Sequence, residues 1–374
     1  MSEVFIPRGY RSPLSVYEMQ RAIEFIKNSF QVNLGSALNL RRVSAPLFVA
    51  AGSGLNDDLN GVERPVSFDI AAVEAEGQVV HSLAKWKRLA LKRYGFRPGK
   101  GLFTDMNAIR RDEQLDNLHS IYVDQWDWEK IIRPEERNEY TLRRTVQAIV
   151  DAVCETADAL SVAFPSLPMR LTREVFFIST QELEDLYPDL SPRERENAIV
   201  KEHGTVFLSE IGYPLKSGKP HDGRAPDYDD WTLNGDILMW DEPLGRALEI
   251  SSMGIREDPP ALVLQLEAAG CPQRAELPFH KMLLAGELPQ TMGGAQSADQ
   301  LWNLCGKMER TLRQMERMLD GPYRMTYYPE PVEQVQEAAE PVMQEETFAP
   351  VAEQPAPVQA PSVKNLLQRV RIKR

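Results

Sequence analysis

The chain contains little cysteine and no long apolar run. Only three cysteines occur among 374 residues, at Cys154, Cys271 and Cys305, and their spacing matches no metal site. Few thiols, odd in number, are typical of a reducing compartment, so we expect a cytoplasmic protein. The first fifteen residues have neither an apolar core nor a basic run, and no window of about eighteen apolar residues occurs. The sequence therefore predicts neither a signal peptide nor a membrane span.

Positive charge is also in short supply. Lys and Arg number 43 against 55 Asp and Glu, which gives a net charge of -12. Neutralising nucleic-acid phosphates needs a basic surface, so this balance argues against a generic nucleic-acid binder. A hydrophobic content of 43% in a chain of this length is enough for a sizeable core, in one large domain or two ordinary ones.

A predicted hairpin from Gly101 to Glu129 is the most organised stretch. An apolar run ends at Ile109 and places Arg110 at its tip, a polar loop follows, and His119 to Trp128 alternates with period two. A hairpin with a satisfied Arg/Asp pair is one explanation, and a site for a small polar ligand is the other. The alternation predicts one face with Ile121, Val123, Gln125 and Asp127, and another with Tyr122, Asp124, Trp126 and Trp128.

Helical patterns occur before and after this hairpin. Ser15 and Glu18 form a capping box ahead of an amphipathic helix, a second helix runs from Leu142 to Leu160, and a third starts at Ser191. Strands are predicted at residues 38–43, 175–178 and 206–211.

A further helix is predicted after Ser82, which can cap it. Its apolar residues Leu83, Trp86, Ala90 and Leu91 are expected to face inward. Its basic residues are expected to form a solvated outer face, which would hold Lys85, Arg88 and Lys92.

Three carboxylate-bearing stretches are candidates for chemistry. The loop from Gly52 to Gly61 is polar and rich in turn residues, and the loop after Arg224 carries Asp227, Asp229 and Asp230. Either loop could simply be solvated, but clustered carboxylates need nearby cations or shifted pKa values. Asp236 is expected to open one strand and Glu249 to lie on a second strand that a short turn joins to it, and such a pair can share Mg²⁺ with phosphate oxygens.

Several sequence words together resemble one enzyme family. The chain resembles asparagine synthetase A, the ammonia-dependent aspartate ligase, from about Ser15 to Gly294. The resemblance implies an α+β fold with an antiparallel sheet flanked by helices, like the catalytic domain of a class II aminoacyl-tRNA synthetase. It also implies a homodimer built on the first helix and strand, although the pattern alone fits an ordinary helix packed on its own sheet equally well. The words that carry it are HSLAKWKR (81–88), YVDQWDWE (122–129), RAPDYDDW (224–231), LNGDILMW (233–240) and ELPQTMGG (287–294).

The resemblance also implies a role for each matching residue. Arg110 would hold the α-phosphate of ATP, and Arg256 would hold the α-carboxylate of aspartate. Mg²⁺ would lie on Asp236 and Glu249. The remaining residues would bind or position aspartate and ammonia, and they are Asp57, Ser82, Lys87, Gln125, Asp127, Asp229 and Ser251.

The resemblance stops after Gly294. Gln300 stands where the family has an arginine that stacks on adenine and reaches the γ-phosphate. A neutral glutamine forfeits roughly 1.5 to 3 kcal/mol of charge-assisted binding. Loss of a phosphate arginine can cost on the order of 10³ in rate.

The C-terminal part has a different composition. Residues 1–324 are expected to form the ligase domain, and residues 325–361 are expected to be a disordered acidic linker rich in Pro, Glu and Gln. Residues 362–374 place an apolar stripe among five basic residues. Such a segment is either a docking peptide for a protein partner or a solubilising tail.

The leading hypothesis is an aspartate–ammonia ligase that makes asparagine from aspartate, ATP and ammonia through β-aspartyl-adenylate, releasing AMP and pyrophosphate. Free ammonia is the expected donor because residue 2 is Ser2 and no cysteine precedes Cys154. The alternative is a catalytically impaired relative that binds ligands or recruits partners. A complete aminoacyl-tRNA synthetase is disfavoured because the resemblance begins near Ser15, with no room before it for an anticodon-binding domain.

Overall fold

The computed structural model describes residues 13–56, 63–113, 121–167, 169–242 and 244–304. Four predictions therefore lie outside the described residues. They concern Asp57, Cys305, the linker 325–361 and the terminal peptide 362–374.

The described strands form two sheets. The large sheet has eight strands in the order β1-β5-β6-β11-β10-β9-β8-β7, and the small sheet has three in the order β2-β4-β3. The strands are β1 Leu40–Arg42, β2 Phe48–Ala50, β3 Ser67–Ile70, β4 Ala75–Val79, β5 Gly101–Ile109, β6 Tyr122–Ile131, β7 Phe176–Ser179, β8 Thr205–Ser209, β9 Asp229–Asp241, β10 Arg246–Arg256 and β11 Thr291–Ser297.

The large sheet is antiparallel through its six central strands and parallel at both edges, where β1 pairs with β5 and β7 pairs with β8. The predicted antiparallel sheet is confirmed for the centre and wrong for the edges. The chain between the two strands of each edge pair is long enough to bring it back to the same end of the sheet, as parallel pairing requires.

Helices flank the large sheet, as predicted. They are α1 Val16–Leu38, α2 Ala84–Arg93, α3 Glu139–Ala163, α4 Thr180–Leu186, α5 Pro192–His203, α6 Pro259–Ala268, α7 Pro278–Leu284 and α8 Ala298–Leu304. The predicted capping box is present, because the Glu18 backbone N–H donates to Ser15 Oγ and the Ser15 backbone N–H donates to Glu18 Oε2. None of the described helices combines the length and apolarity that crossing a bilayer requires.

The hairpin of β5 and β6 is confirmed, and it gives the large sheet two different faces. Gly101 lies opposite Lys130 and Ile109 lies opposite Tyr122. Trp126 is fully buried and contacts the ring of Phe30 in α1 with centroids 4.7 Å apart. Helices α1 and α3 therefore cover one face of the sheet, and the alternate residues of β6 face the other side.

Two local predictions were wrong. Lys85 and Arg88 were expected in solvent, but each is only 3% exposed, because Lys85 pairs with Asp227 and Arg88 pairs with Glu257. Asp236 was expected to open a strand, but β9 begins at Asp229, so Asp236 lies in mid-strand. The small sheet was not predicted.

Candidate active site

A cavity of about 380 Å³ opens on the face of the large sheet that α1 and α3 leave uncovered. Its size is that of a small-molecule site. Of the twelve predicted site residues, Asp57 lies outside the described residues. The other eleven predicted site residues line this cavity together, and they are Ser82, Lys87, Arg110, Gln125, Asp127, Asp229, Asp236, Glu249, Ser251, Arg256 and Gln300.

Lys87 lies at the buried end of α2 and is held by two acceptors. Its Nζ donates to Asp127 Oδ1 at 2.6 Å and to the carbonyl oxygen of Gly294 at 3.0 Å. The side chain is 1% exposed. An ammonium carries three N–H donors, so one remains for a ligand.

Arg256 is fixed by two buried carboxylates. Its Nε and Nη2 donate to Glu129, with Nη2 at 2.7 Å from Oε2, and its Nη1 donates to Asp229 Oδ1 at 2.5 Å. Burial alone would raise the pKa of Glu129, but the charge of Arg256 outweighs it and the pKa is lowered. A guanidinium has five N–H donors, so two remain for a substrate carboxylate approaching end-on.

Arg110 follows β5 at the mouth of the cavity. Its nearest acidic partner in the described part of the chain is Glu113, whose Oε2 lies 3.8 Å from Arg110 Nη1. Such a long contact is a weak ion pair, and the side chain keeps a quarter of its surface exposed. The guanidinium is thus open to an anionic ligand.

Asp236 on β9 and Glu249 on β10 are two carboxylates on adjacent strands that both line the cavity. Burial raises the pKa of Asp236, and enclosure in the cavity together with the charge of Asp236 raises the pKa of Glu249 to about 8. Two repelling carboxylates favour a cation between them.

This pair fits the way proteins hold Mg²⁺. Mg²⁺ takes one or two carboxylates and completes its shell with phosphate oxygens and waters. Within the described ranges, no three His, Cys, Asp or Glu side chains are placed to hold a metal alone. A nucleotide would therefore have to supply further ligands.

Gln300 lies in the first turn of α8 and lines the same cavity. Its backbone N–H donates to Ser297 Oγ at 3.2 Å. Nearby, Gln296 donates to Ser251 Oγ at 2.8 Å, which ties the end of β11 to β10. This wall of the cavity is polar but receives no charge from residue 300.

Two buried groups that contact charged residues were missed in the sequence. Glu129 is fully buried against Arg256, and it continues the alternation of Gln125 and Asp127, so its position was predictable. His280 gave no sequence signal. It is fully buried, and its Nε2 lies 3.0 Å from Asp227 Oδ2, which also accepts from Lys85.

Comparisons with known proteins match the chain to one enzyme family. A family model described as aspartate–ammonia ligase matches residues 17–304. The chain is 59% identical over 293 residues to the aspartate–ammonia ligase of Lactobacillus johnsonii, covering 78% of this chain and 87% of that protein. It is also 59% identical over 295 residues to the aspartate–ammonia ligase of Clostridium perfringens, covering 79% of this chain and 88% of that protein.

Solved structures share the fold at much lower identity. The asparaginyl-tRNA synthetase of Pyrococcus horikoshii, complexed with asparaginyl-adenylate, matches with a TM-score of 0.56 and 15% identity, covering 79% of this chain and 67% of that chain. The Entamoeba histolytica asparaginyl-tRNA synthetase, also with asparaginyl-adenylate, matches with a TM-score of 0.54 and 13% identity, covering 80% and 70%. These likenesses confirm the class II aminoacyl-tRNA synthetase-like fold.

Proposed function

This chain belongs to the aspartate–ammonia ligase family, and on that premise we propose that its cavity makes asparagine from aspartate, ATP and ammonia through a β-aspartyl-adenylate. The observation that carries the proposal is the convergence of three basic side chains and a carboxylate pair in one small cavity. They are Lys87, Arg110, Arg256, Asp236 and Glu249.

In the first step, an oxygen of the aspartate β-carboxylate attacks the α-phosphorus of ATP. A new oxygen–phosphorus bond forms, the bond to the β-phosphate breaks, and pyrophosphate leaves. Both reactants are anions, so charge neutralisation and alignment are the main tasks of the protein. Arg110 holds the α-phosphate, Arg256 holds the α-carboxylate, and Lys87 neutralises a carboxylate of aspartate.

In the second step, ammonia attacks the acyl carbon of the adenylate. The carbon–oxygen bond to AMP breaks, asparagine and AMP form, and one proton is released. Gln125 and Asp127 line the cavity and would orient aspartate with Asp229, Ser82 and Ser251. Asp57 would act beside the incoming ammonia.

Asp236 and Glu249 would hold Mg²⁺, which when bound screens the charge of the nucleotide phosphates. The cavity wall carries four basic and seven acidic side chains. Such a surface repels a polyanion unless a divalent cation is present. We therefore propose ATP as substrate and Mg²⁺ as the resident metal.

A direct assay tests the proposal against the catalytically impaired alternative, which the neutral Gln300 favours. Purified protein is incubated with aspartate, Mg-ATP and ammonium, and asparagine and AMP are both measured. We expect the two products in equal amounts. A matched Lys87→Met variant, made in the same host, should form neither, which excludes a contaminating enzyme. Absence of AMP above blank at high protein concentration would leave only the alternative.

We further propose a cytoplasmic homodimer and, for residues 362–374, a protein partner. The dimer proposal rests on α1 and β1, which by the resemblance would form the family's dimer element. Light scattering coupled to size exclusion should give two chains per particle, and one chain per particle would contradict it. A variant that ends at residue 324 should keep the ligase activity while losing any partner of the terminal peptide.

A further inference from the structure

Arg224 lies in the cavity wall across two residues that face each other on adjacent strands. Asp236 on β9 and Ser252 on β10 are register partners. Arg224 Nη2 donates to Asp236 Oδ1 at 2.6 Å, and Nη1 donates to Ser252 Oγ. The Arg224 side chain is only 7% exposed, so the guanidinium is held by the fold.

The Arg224 guanidinium uses only some of its hydrogen-bond donors. A guanidinium makes its strongest contacts to phosphate through two parallel N–H groups, Nε and Nη2 or the two terminal nitrogens. In the described part of the chain Nε of Arg224 is shielded from solvent and has no hydrogen-bond partner. An unsatisfied buried donor is costly and is typical of a group that awaits a ligand.

Arg224 differs from Lys87 and Arg256 in the carboxylate with which it pairs. Lys87 and Arg256 pair with Asp127 and Glu129, and neither of these carboxylates is proposed to bind metal. Among the described residues, the carboxylate that Arg224 contacts is Asp236, a proposed ligand of Mg²⁺. A divalent cation on Asp236 competes with the guanidinium for the same negative charge.

We propose that Arg224 is a phosphate ligand. When the divalent cation binds Asp236, the guanidinium of Arg224 leaves Asp236 and contacts the nucleotide. It contacts the phosphates beyond the α-phosphate, which leave as pyrophosphate. This inference rests on the proposed function and adds a residue to it.

The position of Arg224 suits this role. Ser252 lies opposite Ala295 on β11, shortly before α8 begins at Ala298. Arg224 is thus on the side of the cavity where Gln300 brings no charge. A guanidinium there offers the bidentate geometry that phosphate oxygens favour.

The experiment measures binding by calorimetry with the full chain. We expect Arg224→Gln to weaken Mg-ATP binding by roughly 10- to 100-fold, the loss expected for a hydrogen bond to a charged group. The affinity for magnesium pyrophosphate should fall by the same factor. The affinities for AMP and aspartate, which lack the outer phosphates, should change by less than about 3-fold.

Two further variants serve as controls. Arg195 is also a buried arginine, paired with Glu184 outside the cavity, so Arg195→Gln should leave the affinities for Mg-ATP and AMP unchanged. Arg224→Lys keeps the charge but loses the planar guanidinium, so the affinity for Mg-ATP should fall less than in Arg224→Gln. This variant also provides the test if Arg224→Gln does not fold.

Each other outcome has a definite meaning. Equal losses for AMP and Mg-ATP, or no loss for either, would overturn the role of Arg224. A native protein that forms AMP while Arg224→Gln binds Mg-ATP normally would overturn this role and leave the ligase proposal standing. A native protein that binds no Mg-ATP would overturn the ligase proposal and the role of Arg224 with it.

Discussion

Glu129 and Arg256 form a buried two-pronged ion pair that passes over the strand between them. Glu129 belongs to β6 and Arg256 to β10, and β11 lies between these strands. Gly293 of β11 lies directly beneath the pair, opposite Glu129. A Cβ at Gly293 would be 2.0 Å from Glu129 Oε2 and 2.5 Å from Arg256 Nη2. The absence of a side chain at residue 293 is therefore a condition for the ion pair.

Gly293→Ala should consequently impair the use of aspartate. The added methyl group must displace the pair, and a displacement of about 1 Å in a positioning group can lower the rate about 10²-fold. We expect kcat/KM for aspartate to fall by about that factor, while the Kd of AMP changes little. Steady-state kinetics and calorimetry measure the two effects.

A glycine elsewhere provides the control for this substitution. A Cβ at Gly35, in α1, would make an ordinary contact of 3.5 Å with Phe103. Gly35→Ala should leave kcat/KM unchanged and add helix stability. Native kinetics in Gly293→Ala would show that Arg256 does not need Glu129 to bind the substrate.

Asp227 should give the fold a stability that depends on pH. Burial alone would raise the pKa of Asp227, but the charge of Lys85 and the hydrogen bond from His280 outweigh it and hold the pKa far below its ordinary value of 3.8. A carboxyl whose pKa is lowered by folding contributes stability above its ordinary pKa. That contribution is lost as the pH falls through the folded pKa.

Asp227→Asn should therefore lower the free energy of unfolding by about 3 to 5 kcal/mol at neutral pH, because it removes the negative charge that faces buried Lys85. The difference from the native protein should shrink below pH 3.8. Urea titrations at several pH values measure it. Asp158→Asn removes an exposed partner of Arg173 and should cost less than about 1 kcal/mol. A pH-independent difference at Asp227 would contradict the assigned cause.

Removal of the divalent cation should weaken the binding of ATP more than the binding of AMP. Seven acidic side chains face the cavity against four basic ones, so ATP without metal meets net repulsion. With EDTA we expect the Kd of ATP to rise by at least about 10-fold and that of AMP, with fewer charges, to rise less. Calorimetry with and without Mg²⁺ measures both. Equal ATP affinity in the two buffers would contradict the proposal that Asp236 and Glu249 hold Mg²⁺.

The sequence predicted the cavity-facing residues of β6 because a strand repeats every two residues. Gln125 and Asp127 were placed on one face, and Glu129 follows the same rule. The basic residues of α2 could not be placed in this way. Lys85 and Arg88 have the polarity of a solvated face, and their burial depends on Asp227 and Glu257, which are far away in the sequence. Local patterns predict which face a residue takes, whereas pairing of buried charges depends on tertiary contacts.

Gln300→Arg should raise the ligase activity if a missing cation limits it. The same substitution also tests Arg224, because two residues that supply charge to the same phosphates do not act additively. In the native background Arg224 already provides one guanidinium, so we expect a modest gain in kcat/KM for ATP. In the Arg224→Gln background we expect Gln300→Arg to recover at least about 10-fold, the value of one charged hydrogen bond.

The double-variant comparison separates three explanations of the neutral residue 300. A larger gain without Arg224 than with it means that the two positions share one role. Equal gains in both backgrounds mean that they act on different groups, which would contradict the proposed contact of Arg224 with the outer phosphates. An unchanged rate in both backgrounds would mean that the cavity binds the phosphates without a cation at residue 300, because neither charge would then limit the rate.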